Sequence, residues 1–64
     1  MYDTQELKQR LVIIKHSSLA DAAILDENYR QLIKDTPNPD EQRQFIILHT
    51  QAKNRIQKLL DQKQ

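Results

Sequence analysis

His16 and His49 are, carboxylates aside, the residues whose type suits metal binding or proton transfer, and Ser17 and Ser18 supply the nearest hydroxyls. Neither histidine sits in a His-Glu-x-x-His or similar spacing that would set two imidazoles on one helix face. Were the chain to fold back at its prolines, the two would lie about eight residues apart along the axis. At 1.5 Å per residue that is roughly 12 Å, too far to share one ion. The serines have no histidine and acid arranged as a relay, and a chain without glycine offers no phosphate-cradling loop or strained nucleophile turn. The expectation is a protein that is not an enzyme, holds no metal or cofactor, and carries its histidines solvated or packed at an edge.

Charge gives one other candidate chemistry. Lys8, Arg10, Lys15, Lys53, Arg55 and Lys58, with Lys63, could contact nucleic acid. Against this, the net charge is only +1, Asp3, Glu6 and Asp61 dilute the set, and only part of it can share a face. Tyr2, Tyr29 and Phe45 are too few to build a base-stacking platform. The distribution is uneven: Asp21, Asp26, Glu27, Asp35, Asp40 and Glu41 outnumber Arg30 and Lys34 in residues 21–41. From Gln42 onward Arg43, Lys53, Arg55, Lys58 and Lys63 face only Asp61.

The elements that would position these groups are helices. Both prolines fall in Asp35-Thr36-Pro37-Asn38-Pro39-Asp40-Glu41. Pro37 and Pro39 push Thr36 and Asn38 out of the α region, so a helix must stop near Lys34 or Asp35. Asn38 then caps a second helix, with Pro39 at its first position, where no N–H is needed, and Glu41 three residues past the cap. Upstream, Asp3 followed by Glu6 has capping-box spacing. Leu7, Leu11 and Ile14, then Ser18, Ala22 and Leu25, then Tyr29, Ile33 and Thr36 repeat at eleven residues, which keeps a stripe on one face of a nearly straight helix. Helix 2 carries its own stripe, Phe45, Leu48, Ala52, Ile56 and Leu59, with Leu60 adjoining. Counting back from the turn pairs Tyr29 with Phe45, Leu25 with Leu48 and Ala22 with Ala52.

The reading is a single all-α domain over 1–64: an antiparallel hairpin with helix 1 at about 4–35, a turn at 36–38 and helix 2 at about 39–62. The alternative is a three-helix bundle, because Ser18 followed by Asp21 has the spacing of a cap and adjacent serines are indifferent helix formers. Continuity is preferred, since two serines cost only about 1 kcal/mol against alanine. A straight first helix would be about 48 Å long against about 36 Å for the second, leaving Leu7 and Leu11 overhanging.

A 64-residue chain buries only about 60 % of its unfolded surface, and this one has no cysteine to staple it. Yet Val12, Ile13, Leu19, Ala23, Ile24, Ile46 and Ile47 lie off the seam. These are read as a partner interface, with a homodimer that makes a four-helix bundle, or another helical protein, as the occupant. Nucleic acid is the less favoured partner. The longest apolar run, Phe45 to Leu48, cannot span a bilayer. The acidic start, without an apolar segment after it, is unlike an export signal, so a cytoplasmic protein is expected.

In layout the chain resembles the plasmid-encoded RNA-binding hairpin dimers and the small hairpin chaperones of type III and flagellar secretion. The segment Leu25 to Leu60, LDENYRQLIKDTPNPDEQRQFIILHTQAKNRIQKLL, is similar to the closing helix pair of those chaperones. The resemblance is one of organisation and implies a phage-, plasmid- or secretion-related adaptor, chaperone or inhibitor that presents an apolar helical face. Its alternative is a nucleic-acid-binding regulator acting as a hairpin dimer. Calorimetric titration with Zn²⁺ should show no stoichiometric uptake; a one-to-one isotherm would restore the histidines as a site.

Overall fold

A computed structural model describes residues 2–62 and is all-helical over them, with α1 at Thr4–Lys15, α2 at Leu19–Asp35 and α3 at Pro39–Gln62. The two-helix hairpin with a continuous helix over 4–35 is therefore incorrect, and the chain breaks at His16 to Ser18. The local contribution is two-sided. The Ser17 hydroxyl donates to the Ile14 carbonyl at 2.7 Å, satisfying the end of α1, while Ser18 Oγ accepts from the Asp21 amide at 3.1 Å and starts α2. These two hydroxyls satisfy backbone groups on both sides of the break and so lower its local cost.

The other caps form where the sequence places them. Asp3 accepts from the Glu6 amide at 2.8 Å, and Asn38 Oδ1 accepts from Asp40 and Glu41 at 2.9 and 3.3 Å. Gln42 reinforces the second turn by donating from Nε2 to the Ile33 and Thr36 carbonyls at 3.2 and 2.7 Å. Carbonyls left without partners at the end of α2 are thereby satisfied from α3.

Helix α3 is the spine against which both other helices pack. Antiparallel to it, α2 sets Ile33 against Gln42 and Asp26 against His49. That register is within two residues of the sequence pairing. By contrast α1 folds back and runs in the same direction as α3. The Tyr2 backbone exchanges bonds of 2.9 and 2.8 Å with the Gln44 amide side chain near one end, and Arg55 Nε donates to the Ser17 carbonyl at 2.9 Å near the other.

Ile14, Ala22, Tyr29, Leu48 and Ala52 are buried, and each belongs to a stripe read from the sequence. Two fully buried alanines let the α2 and α3 backbones approach closely. Leu7 and Leu11 do not overhang: the fold-back packs them against this core with Tyr2, Leu25 and Phe45. Ser18, placed on the seam by the repeat, is exposed and serves as a cap. No helix among the described residues is long and apolar enough to cross a membrane.

Urea melts should show Ser18→Ala and Asn38→Ala each losing about 1 kcal/mol of stability. A neutral Ser18→Ala accompanied by a gain in helicity would mean that the cap does not hold the break.

Candidate functional site

The apolar residues assigned to an interface are wet in this fold, though not all on one face. Val12, Ile13, Ile24, Ile46 and Ile47 are between 46 and 59 % exposed, Ala23 is exposed, and Leu19 is half-buried. Four of them join up. Ile47 and Val12 line a groove of about 510 Å³ between α3 and α1, together with Leu11 and Ile14. Val12 and Ile13 share the outer surface of α1 with Gln5, Lys8 and Gln9. Ile13 and Ile24 then meet in a third hollow between α1 and α2, beside His16 and Asp21. Ile47, Val12, Ile13 and Ile24 thus form one stripe running across α1 from α3 to α2.

Ile46 does not join it. Successive helical residues point about 100° apart, which turns Ile46 away from Ile47 and onto the solvent side of α3 in line with Lys53 and Leu60. Ala23 is displaced from Ile24 in the same way. Of the seven residues, Val12, Ile13, Ile24 and Ile47 line these three hollows, and Leu19, Ala23 and Ile46 do not.

The basic set also divides. Arg10 lies with its guanidinium carbon 4.2 Å above the Tyr2 ring and Nη2 3.3 Å from Glu6. Partial burial works against its charge, but the Tyr29 hydroxyl, Tyr2 and Glu6 together outweigh that and raise its pKa above the usual arginine value. Tyr2 in turn meets the edge of Phe45, with ring centroids 5.8 Å apart and planes at 80°. Arg55 is half-buried and committed through Nε to the Ser17 carbonyl. Lys8, Lys15, Lys53 and Lys58 are exposed. Lys15, Arg55 and Lys58 line the α1–α3 groove, whereas Lys53 shares the solvent side of α3 with Ile46. Lys63 lies outside the described residues.

The two histidines differ. His16 is exposed at the end of α1, while His49 is half-buried with Nε2 2.9 Å from Asp26 Oδ1. That oxygen is shut off from solvent, and the approach lacks hydrogen-bond alignment. The register itself could have revealed the contact, since pairing Leu25 with Leu48 brings Asp26 and His49 together. No sequence signal foretold Arg55 and Ser17, because that bond exists only once α1 and α2 are separate helices. Among the described residues no cluster of three or more His, Cys, Asp or Glu is arranged to hold a metal ion.

No protein-family model matches the chain, and neither does any curated protein or solved structure.

A double-mutant cycle with Asp26→Asn and His49→Gln should give a coupling energy of up to about 1 kcal/mol. Additive single effects would show that the contact contributes nothing. Arg55→Ala should cost about 1 to 2 kcal/mol by leaving the Ser17 carbonyl without its donor.

Proposed function

We propose that this chain is a small non-enzymatic protein-interaction module, an adaptor, chaperone or inhibitor, that presents an apolar helical face to another helical chain. The observation that carries the reading is the continuous exposed stripe of Ile47, Val12, Ile13 and Ile24. Supporting it, Ser17 and Ser18 commit their hydroxyls to the backbone and Arg10 and Arg55 are held by neighbours, which leaves little machinery for catalysis.

Magnitudes limit the stripe. Burying a whole Val or Ile side chain is worth about 1.5 to 3 kcal/mol, so completing four half-buried ones yields roughly 3 to 6 kcal/mol. Association costs about 4 to 15 kcal/mol in lost freedom. A partner must therefore use the walls and charges of the groove as well as the stripe. A second copy is one such occupant and would join three-helix units into six helices, in place of the four expected of paired hairpins. A different helical protein is the other. The runner-up function, a nucleic-acid-binding regulator, draws on Lys15, Arg55 and Lys58 sharing one groove.

Association, with itself or with another chain, should be lost in Ile47→Lys and kept in Ile46→Lys, with most helicity retained in both because each side chain is already about half exposed. Sedimentation over a wide concentration range and mass-resolved capture from the native host measure it. Equal behaviour of the two variants would remove the stripe as the interface. A steep salt-dependent affinity for bulk RNA or DNA would favour the runner-up.

A further inference from the structure

The groove between α1 and α3 is apolar along one part and cationic along another. Ile47, Val12 and the edges of Leu11 and Ile14 supply the apolar part, and Lys15, Arg55 and Lys58 the charges, with no carboxylate in the lining. The two parts are ordered along the helices. Ile47 lies toward the start of α3, whereas Arg55 and Lys58 lie about two to three turns further on, beside Lys15 in the last turn of α1. From Ile47 to Lys58 is roughly 16 Å, three turns of helix.

Resting on the interaction-module reading above, we propose that this groove docks an amphipathic helix of another protein whose first turns carry carboxylates, lying antiparallel to α1 and α3. Its apolar face covers Ile47 and Val12, and its acidic N-terminal turns meet Lys15, Lys58 and the part of the Arg55 guanidinium not engaged with Ser17. Three arguments select this occupant. Helices commonly carry Asp and Glu in their first turn, and the positive end of the incoming dipole would lie beside the negative end of α1. A bare phosphate strand would satisfy the cations but leave Ile47 and Val12 wet. A second copy offers its own stripe, whose hollows contain a single carboxylate, Asp21, against four cations, Lys8, Lys15, Arg55 and Lys58, so its charge is unmatched.

The test uses the full chain and fluorescent synthetic peptides of about five turns. One has leucines at helical spacing and glutamates in its first two turns. A second places the same glutamates in its last two turns, and a third replaces them with lysine. The first should bind with an affinity that falls at high salt, drops about tenfold in Lys58→Glu and further in Lys15→Glu/Lys58→Glu, and stays within about twofold in Lys53→Glu. Lys53→Glu makes the same charge change on the solvent side of the same helix, so it separates a groove effect from a change in net charge. Circular dichroism of each variant verifies that the fold is kept.

Equal binding of the first two peptides would overturn the orientation. Equal binding of the acidic and basic peptides, with both lost in Ile47→Lys, would overturn the acidic partner while leaving the interaction module standing. Binding of none of the peptides, in a protein that sediments as a monomer at high micromolar concentration with a melting temperature unchanged by dilution, would defeat both. Self-association abolished by Lys58→Glu would assign the groove to a second copy and overturn the foreign helix.

Discussion

The bond from Arg55 Nε to the Ser17 carbonyl, 2.9 Å long, ties the reversal between α1 and α2 to the spine of the molecule. A straight helix over 4–35 would carry Leu7 and Leu11 beyond its partner. With the chain reversed at Ser17, those leucines and Ile14 return to the core, and Tyr2 reaches Gln44 and Phe45. The closure at the start of α1 and the groove beside its end both follow from that one reversal. Neither exists in a hairpin.

The same reversal explains why apolar surface remains outside. Ile14 and Leu48 are the large side chains that become fully buried. A helix of only three turns, α1, covers part of the α2–α3 pair, and its own outer ridge adds Val12 and Ile13 to the solvent-facing surface. Small domains depend on every buried side chain, and one that leaves four large aliphatics about half wet in a continuous stripe has stability to gain from a partner.

Arginine and lysine play different parts around α1. Arg10 and Arg55 face inward, one stacked on an aromatic ring and the other aimed at a single carbonyl. A planar guanidinium suits such directed contacts better than an ammonium does. The lysines Lys8, Lys15, Lys53 and Lys58 stay in solvent. Counting all six as one basic surface overstates the charge free to meet a polyanion, and the lysines that remain are spread over more than one face.

Features set within a few residues were legible in the chain itself: the Asp3 and Asn38 caps, the proline turn, the two apolar stripes and the α2–α3 register. Each depends on a side chain acting on its own neighbourhood or on helical periodicity. The break at Ser17 and Ser18 was legible only as an alternative, because its local terms nearly cancel. The serines' weak helix propensity and the Ser18 cap favour a break, and together they roughly offset the helical hydrogen bonds that a break gives up, so neither outcome dominates over that segment. Tertiary contacts decided it. Ile14 gains burial, Leu7 and Leu11 gain a core, and Ser17 gains Arg55 from 38 residues away only when α1 turns back. The division of the seven off-seam apolar residues and of the six cations follows from the same cause, since which side of a short helix meets solvent is set by what it folds against.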